Sequence, residues 1–357
     1  MAHWPLASRS LSRRSQQLLW VSGPRGIVRD FSAAQDPDAQ KATLPACRGI
    51  AASRVLSNSP STFQTRSALP SNGQYHNPQQ IRRTYASTPA TSAARIISTT
   101  KEHSPGHNVA TLAVSNPAKL NIVNSAVLDD FIRECQKLSK DDSLRAVVLT
   151  NAPINPGKAS SWIGGADIKE MIELSSSDQA RAFIDRIHAT CEALRKIPVP
   201  VIASIDGFCL GGGMEIAATC DLRVATHKSV FGMPEVKVGI PSVVEAAYLP
   251  GLIGMGRTRR LLYLAENIDA VEAERWGFVE KVVADEMELE QATSEWVDAL
   301  VGMGPKAIRS QKVLMQKWEN CSVEDGIEAG AVAYAEAYAD GGTEPKEFMG
   351  RFVGRKR

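Results

Sequence analysis

The stretch IDGFCLGGGME, residues 205–215, decides the fold. It follows an apolar run at 199–205 that is typical of a buried strand, and a helix is predicted to start at Met214. Three consecutive glycines between a strand and a helix leave backbone N–H groups uncovered at the helix N-terminus, where a phosphate or a developing oxyanion is stabilised. The same glycines also permit close packing of a tight turn, so this pattern alone leaves both interpretations open.

Strands and helices alternate on both sides of this stretch, which predicts an α/β fold. Short, continuously apolar runs are typical of strands that are buried on both faces. The predicted strands comprise residues 94–98, 109–114, 146–150, 199–205 and 222–226. Helices are predicted from about Ser125, through Met171, over 178–196 and over 214–219, with a loop at 151–166 and a turn at 206–213.

The chain becomes mostly helical beyond Gly254. We therefore predict an α/β core, residues 91–290, followed by a C-terminal helical region, residues 291–357. Helices that end a chain often serve as assembly elements, so this region is a weak indication of an oligomer.

The composition is that of an ordinary soluble globular protein, with 43% hydrophobic and 22% charged residues. The net charge of +2 gives no general reason to expect DNA or another polyanion as a partner. The six cysteines show no CxxC spacing, which argues against a zinc site and against a disulfide framework. No apolar run is long enough for a transmembrane helix, so no stable membrane insertion is expected.

The first 90 residues differ in amino-acid composition from the rest of the chain. They are rich in Ser, Arg, Ala, Gln and Pro, and no carboxylate occurs between Asp38 and Glu102, a composition typical of organelle transit peptides. RTYAS at 83–87 and RDFS at 29–32 both resemble mitochondrial processing sites, so the position of cleavage stays open. We predict a presequence, residues 1–90, and import into the mitochondrial matrix; a disordered, non-targeting tail is the alternative.

A second run of small residues, SSWIGGADIK at 160–169, also opens a predicted helix. Two helix N-termini of this kind could direct two N–H donors at one oxygen. The enolate of a thioester would be stabilised in this way. Taken alone, Asp167 is interpreted as a helix cap, the commoner role of Asp in this position.

Two carboxylates, Glu215 and Glu235, lie in apolar surroundings in the sequence. Burial raises the pKa of a carboxyl group, which suits proton transfer near neutral pH. Two carboxyls around one water can divide the work, one taking a proton and the other giving one. For each residue taken alone, a structural role is favoured. Glu215 would compensate the helix dipole, and Glu235 would be an acidic residue of a surface loop.

Three strings in combination resemble the enoyl-CoA hydratase/isomerase (crotonase) family: GADIKEM at 165–171, GGGME at 211–215, and FGMPE at 231–235. The resemblance extends from about residue 94 to the C-terminus. It implies a crotonase-like spiral of ββα units, with C-terminal helices that build homotrimers, usually paired into homohexamers.

The same resemblance implies the roles of individual residues. The N–H groups of Ala166 and Gly212 would form an oxyanion hole for the thioester carbonyl, beside the catalytic residues Glu215 and Glu235. The acyl-CoA substrate would contact residues 118–120, residues 166–169 and the glycine turn. These substrate-binding residues are Ala118, Lys119, Leu120, Ala166, Asp167, Ile168, Lys169 and Gly211.

Acids at both positions favour hydration within this family. Glu215 would help to activate water as a base, and Glu235 would deliver a proton to the α-carbon. No cofactor and no metal are expected, because coenzyme A is part of the substrate. The alternatives are a double-bond isomerase of the same fold and a non-catalytic protein that binds CoA or RNA. RNA binding is disfavoured, since a solvated helix face explains the basic cluster at 257–260 equally well.

One segment departs from the family pattern. The sequence GIPSVVEAAYLP at 239–250 carries Val244 and Glu245 where many members have a glycine pair. Since this stretch normally lies close to the catalytic glutamates, Glu245 would contact the site or the acyl pocket. It would otherwise be a helix-start acid with a local structural role.

Overall fold

The computed structural model describes residues 94–354 of the 357-residue chain. The predicted presequence, residues 1–90, lies outside the described residues, together with both of its processing-site motifs. Between residues 94 and 354, no helix is both long enough and apolar enough to cross a membrane.

A six-stranded sheet forms the main layer of the fold. Its strands are β1 Arg95–Ser104, β2 His107–Ser115, β3 Leu144–Asn151, β5 Val201–Ile205, β7 Leu222–Thr226 and β10 Lys281–Val283. They lie in the order β1-β2-β3-β5-β7-β10. β1 and β2 form an antiparallel hairpin, and each later pair of neighbours is parallel.

A smaller sheet of four three-residue strands lies alongside. Its strands are β4 Ser161–Ile163, β6 Phe208–Leu210, β8 Val230–Gly232 and β9 Asn267–Asp269, in that order. β4, β6 and β8 are parallel, and β9 pairs with β8 in the antiparallel sense. The short strands carry the segments that form the candidate site.

The helices cover the sheets and make up the C-terminal part of the described chain. They are α1 Ser125–Leu138, α2 Ile168–Ile172, α3 Ser177–Arg195, α4 Gly212–Thr219, α5 Leu249–Ile253, α6 Met255–Leu264, α7 Ala270–Trp276, α8 Glu286–Gly302, α9 Pro305–Trp318, α10 Val323–Glu336 and α11 Thr343–Val353. Two 3₁₀ turns, Glu235–Val238 and Val244–Tyr248, follow β8.

Successive strands alternate between the two sheets. β3 is followed by β4, β5 by β6 and β7 by β8, and each pair leads into a helix or a 3₁₀ turn. The chain therefore winds as a spiral of ββα units, as predicted. Because the sheets are parallel along this spiral, equivalent segments of successive turns meet at the same edge.

The predictions of the longer elements are confirmed. Helix α1 begins at Ser125, where the Asn124 side chain caps it by accepting a hydrogen bond from the Val127 N–H at 3.0 Å. The short strands were not predicted: β4 lies inside the predicted loop and β6 inside the predicted turn. β9 and β10 likewise lie in the region predicted as mostly helical. A three-residue strand is too short to show a hydrophobic period.

The core lies on both faces of the larger sheet. On one face, α1 and α3 pack against it through apolar residues such as Phe131 and Leu194, which are fully buried. On the other face, Leu289 and Val297 of α8 pack against Ala146 and neighbouring strands. Helix α8, which contains the predicted boundary at residue 290, is thus part of the core by its packing.

A buried lysine ties helix α9 to the larger sheet. Lys312 is 6% exposed, and its Nζ donates to the carbonyl of Val199 at 2.9 Å and to Oδ2 of Asp221 at 2.7 Å. The same carboxylate oxygen accepts from the N–H of Val201 at 2.7 Å. The Asp221 carboxylate therefore binds both the lysine of α9 and the first N–H group of β5.

Lys312→Ala is expected to lower the free energy of unfolding by roughly 2–3 kcal/mol, because Asp221 would lose its cation in a largely desolvated place. Lys306→Ala is the matched control, since Lys306 pairs with Asp340 on the exposed surface, and it is expected to leave the free energy of unfolding nearly unchanged. Chemical unfolding measures both. Equal losses in the two variants would contradict the importance of the buried pair.

Candidate active site

The three glycines lie where α4 begins, and their geometry brings the turn close to two other segments. Gly211 has a φ of +52°, a left-handed conformation that favours glycine, and its N–H donates to the carbonyl of Gly232 at 2.8 Å. A Cβ on Gly213 would lie 2.3 Å from the carbonyl oxygen of Ile163. The close-packing interpretation of the glycines is therefore confirmed.

Two carboxyl groups and one backbone amide meet at these glycines. A Cβ on Gly211 would lie 2.6 Å from Oε1 of Glu235. A Cβ on Gly212 would lie 3.9 Å from Oε2 of Glu215 and 4.0 Å from the amide nitrogen of Ala166. The structure thus brings together both predicted catalytic residues and both predicted oxyanion-hole residues, although they come from three separate turns of the spiral.

Glu215 is enclosed in the protein. It lies in the first turn of α4, whose residues are all buried, and it is itself only 4% exposed. Burial raises the pKa of its carboxyl group to about 8, and the negative charges of Glu235 and Glu245 add to this shift. Backbone groups of Ala246 and Val243 act in the opposite direction. The carboxyl group therefore changes its protonation state at a pH above neutral rather than in the acid range of an ordinary glutamate.

Glu235 is half-buried and opens the 3₁₀ turn Glu235–Val238, where the sequence predicted a loop. The hydroxyl of Ser242 donates to its Oε2 at 2.8 Å. Burial raises the pKa of Glu235, while its own backbone N–H and the Ser242 hydroxyl oppose the shift. The two carboxyls thus differ mainly in their access to solvent.

Asp167 caps helix α2, as its position in the sequence predicts. Its Oδ1 accepts from the N–H of Lys169 at 3.0 Å, and its Oδ2 accepts from Nζ of Lys119 at 3.0 Å. Burial acts to raise the pKa of Asp167, but the hydrogen bonds and charges of these lysines outweigh it and the pKa is lowered. The carboxylate therefore stays charged and joins the start of α2 to the segment around Lys119.

The predicted substrate-binding residues of the two segments lie side by side. Leu120 has a φ of +55°, and its carbonyl accepts from the N–H of Gly164 at 3.1 Å. The carbonyl of Ala118 accepts from Nζ of Lys158. Ile168 and Lys169, in the first turn of α2, are exposed beside this segment. The two segments therefore form an exposed edge that carries Lys119, Lys158 and Lys169.

The sequence is similar to known proteins over most of the residues that the structure describes. A sequence profile of the family described as enoyl-CoA hydratase/isomerase matches residues 105–340. The chain belongs to this family. It is similar to the short-chain-enoyl-CoA hydratase of Clostridium acetobutylicum, with 32% identity over 70% of this chain and 92% of the relative.

A mitochondrial relative and a solved structure are also similar to this chain. The mitochondrial enoyl-CoA hydratase domain-containing protein 2 of Bos taurus is 25% identical over 65% of this chain and 78% of its own length. The crystal structure of an enoyl-CoA hydratase from Bacillus anthracis superposes with a TM-score of 0.61 at 28% identity, covering 67% of this chain and 89% of the other. The crotonase-type spiral is thus shared across the described core.

A third glutamate, in the segment that departs from the pattern implied by the family resemblance, lies close to the first two. Glu245 is 3% exposed, and its Oε1 lies 2.6 Å from Nδ1 of His188. The preceding residue, Val244, has a φ of +38°, which is rare for a β-branched side chain. The sequence marked Glu245 as a departure from the family pattern, but nothing in it indicated that His188, 57 residues earlier, would be its partner.

The basic cluster at 257–260 is occupied by local contacts. Arg257 donates to the carbonyl of Trp276 at 2.9 Å, and Arg260 pairs with Glu266 and lies 5.5 Å from the Trp276 ring centroid. A structural role explains these two arginines. In the part of the chain that the structure describes, no three His, Cys, Asp or Glu side chains are grouped as metal ligands.

Glu215→Gln is expected to stabilise the protein at alkaline pH. The carboxyl titrates near 4.5 in the unfolded chain and near 8 in the folded one. Its favourable contribution is therefore fully present below pH 4.5 and lost as the pH rises through 8. The melting temperature of the variant should exceed that of the wild type by several degrees at about pH 9, with the difference shrinking toward about pH 5.

Glu290→Gln provides the control for this measurement, because Glu290 is exposed on α8. Its melting temperature should follow the wild type at every pH. A difference between Glu215→Gln and the wild type that stays constant from about pH 5 to about pH 9 would contradict the raised pKa.

Proposed function

We propose that this chain adds water across the 2,3 double bond of an enoyl-CoA thioester, giving a 3-hydroxyacyl-CoA, with Glu215 and Glu235 as the catalytic residues. Its membership of the enoyl-CoA hydratase/isomerase family and its similarity to named hydratases support this activity. The observation that carries the proposal is the meeting of two carboxyls and the Ala166 amide at Gly211 and Gly212.

The thioester carbonyl is activated by two backbone donors. The N–H groups of Ala166 and Gly212 donate to its oxygen and stabilise the negative charge that develops as the enolate forms. Gly212 is the first residue of α4, so the positive end of the helix adds to this stabilisation. Glycine and alanine leave room for the thioester beside these donors.

The two carboxyls divide the proton transfers. Glu215 accepts a proton from water as the water oxygen bonds to the β-carbon, and Glu235 gives its proton to the α-carbon as the enolate collapses. A pKa of about 8 for Glu215 suits this exchange near neutral pH, because the protonated and ionised forms are then close in free energy. The reaction requires no cofactor besides the coenzyme A of the substrate.

The coenzyme A part of the substrate binds along the exposed edge beside the site. Residues Ala118–Leu120 and the start of α2 offer backbone groups there, and Lys119 and Lys169 offer positive charge. Such charges suit the phosphates of coenzyme A. Binding along this edge would direct the acyl chain toward the buried carboxyls.

The purified wild-type chain is expected to remove the conjugated-thioester absorbance of crotonyl-CoA and to form 3-hydroxybutyryl-CoA. Glu235→Gln should lower the turnover number by at least about 10²-fold, because the proton donor to the α-carbon is lost. Circular dichroism and melting temperature check that the variant is folded. Near-normal turnover in a folded Glu235→Gln variant would refute the assigned role.

Glu290→Gln serves as the surface control and should retain the wild-type rate. Performing the reaction in ¹⁸O-labelled water distinguishes hydration from the alternative, isomerisation of the double bond, since only hydration incorporates the label. Absence of any chemical change with both 2-enoyl and 3-enoyl thioesters would favour a non-catalytic protein that binds CoA.

Self-association into a homotrimer or homohexamer is also part of the proposal. Helices α9 and α10 expose apolar side chains that include Val313, Trp318 and Ile327. Exposed apolar surface of this kind favours contact with another protein surface. A second copy of this chain is the occupant that the family membership supports.

We further propose that the protein acts in the mitochondrial matrix. The acid-poor, Arg- and Ser-rich composition of residues 1–90 supports import, as does the mitochondrial relative from Bos taurus. Fusion of residues 1–90 to a fluorescent protein should direct it to mitochondria. Replacement of Arg9, Arg13 and Arg14 by Gln should leave the fusion in the cytosol, and unchanged import would show that these charges are not the signal.

A further inference from the structure

The two oxygens of the Glu235 carboxyl group lie in different surroundings. Oε2 accepts a hydrogen bond of 2.8 Å from the hydroxyl of Ser242. Oε1 lies on the side of the glycine turn, where a Cβ on Gly211 would approach it to 2.6 Å. One oxygen is therefore held by a side-chain donor. The other lies beside the turn that contains Gly212, whose N–H is the proposed donor to the thioester oxygen.

The chain after Glu235 turns back on itself, and this path brings Ser242 to the carboxyl group. The 3₁₀ turn Glu235–Val238 ends at Gly239, whose φ of +84° favours glycine and reverses the chain. The N–H of Ile240 then donates to the carbonyl of Glu235 at 3.2 Å. The backbone and the side chain of Glu235 thus each accept a hydrogen bond from the same short loop.

The same segment also borders the other catalytic carboxyl. Backbone groups of Val243 and Ala246 favour the ionised form of Glu215 and oppose the rise in its pKa. Residues 242–246 therefore act on both carboxyls, through a side-chain hydroxyl at Glu235 and through the backbone at Glu215. A substitution that removes only the Ser242 hydroxyl is directed at Glu235.

The Ser242 hydroxyl favours a negative charge on Glu235. An ionised carboxylate can only accept hydrogen bonds, and a hydroxyl can donate one. Accordingly, this hydrogen bond opposes the rise in the pKa of Glu235 that burial causes. Hydrogen bonds to an ionised partner are stronger than those between neutral groups. The contact is therefore strongest once Glu235 has lost its proton.

The proposed hydration creates this charge in its second proton transfer. The O–H bond of the neutral Glu235 carboxyl breaks, and the electron pair of the enolate forms the new C–H bond at the α-carbon. The electron pair of the broken O–H bond stays on the carboxylate, where Oε1 and Oε2 share the charge. A donor already placed at Oε2 stabilises this charge as it develops.

We propose that Ser242 is a positioning residue for this step: its hydroxyl holds Glu235 by Oε2, so that Oε1 carries the proton and gives it to the α-carbon. The hydroxyl keeps its own proton throughout. This inference rests on the proposed function, because it assigns separate roles to the two oxygens of the proposed proton donor.

A role of Ser242 only in closing the loop is less consistent with the geometry. The backbone hydrogen bond from Ile240 to Glu235 already closes the loop without a side chain. Ser242 is also half-buried rather than enclosed in the core. Loss of its hydroxyl should therefore affect turnover more than stability.

Ser242→Ala removes the hydroxyl and keeps the rest of the loop. Its turnover number for crotonyl-CoA should fall by about tenfold, because Glu235 becomes a weaker acid and its carboxyl group is free to rotate. KM should stay within about twofold of the wild-type value, since Ser242 acts through Glu235 and not on the bound thioester. The melting temperature should remain close to that of the wild type.

The double variant Ser242→Ala/Glu235→Gln shows whether Ser242 acts through Glu235. Once the proton donor is absent, the hydroxyl has no developing charge to stabilise. The double variant and Glu235→Gln should therefore have the same residual turnover number, within about twofold.

Ser139→Ala is the matched control for loss of a serine hydroxyl. Ser139 is half-buried, as Ser242 is, and its hydroxyl donates to the carbonyl of Gln136 at 3.0 Å. It follows the last residue of α1 and forms no part of the candidate site. This variant should retain the wild-type turnover number and KM.

The outcomes separate the two proposals. A wild-type enzyme that hydrates neither crotonyl-CoA nor any other enoyl-CoA would refute the proposed function, and the role of Ser242 with it. In an active enzyme, an unchanged turnover number in Ser242→Ala would overturn the role of Ser242 alone. So would a raised KM at unchanged turnover number, or a loss in the Glu235→Gln background as large as that in the wild type.

Discussion

Helix α4 begins where three segments of the chain touch so closely that no side chain fits between them. Gly213 lies against the carbonyl of Ile163, and Gly211 lies against the carboxyl of Glu235. These two approaches set the spacing between neighbouring turns of the spiral. The Ala166 amide, the Gly212 backbone and the two carboxyls share one location only because the turn at 211–213 carries no Cβ.

This close packing also explains the acid–base properties of the site. Every residue of α4 is buried, so Glu215 in its first turn loses most of its hydration. The positive end of the helix and nearby backbone groups favour the ionised carboxyl, but burial and the two neighbouring glutamates outweigh them. The same burial that raises the pKa of Glu215 lowers the stability of the fold at alkaline pH. Proton transfer and stability therefore make opposite demands on one residue.

The sequence predicts those parts of the structure that depend on local pattern. The strands at 146–150 and 199–205 and the cap at Asp167 are examples, because burial on both faces and capping each leave a signature within a few residues. Whether the glycines serve packing or anion binding could not be read from them, since both uses require the same residue type. The family strings placed Glu215 and Glu235 together only by resemblance, as no local pattern records their separation in space.

Other features depend on contacts between residues far apart in the chain. The strands β4, β6 and β8 have three residues each, so pairing with neighbouring turns defines them rather than hydrophobic periodicity. The burial of Glu245 is of the same kind, because its partner His188 lies on a different helix. The sequence places Glu245 near the site only through the family resemblance, and the packing of the 3₁₀ turn against α3 and α4 is what buries it.

The family resemblance implies a glycine pair where this chain has Val244 and Glu245, and the backbone of Val244 keeps a conformation that glycine favours. Val244 adopts a φ of +38°, where a β-branched residue is strained and glycine would not be. Strain of this kind persists only where the surrounding structure enforces it, and it is typically found next to functional groups. The turn therefore keeps the backbone path that glycine favours, and with it the backbone groups that face Glu215, while gaining a carboxyl beside them. Since the strain at Val244 does not stabilise the fold, it is a cost that accompanies the placement of the Glu245 carboxyl near Glu215.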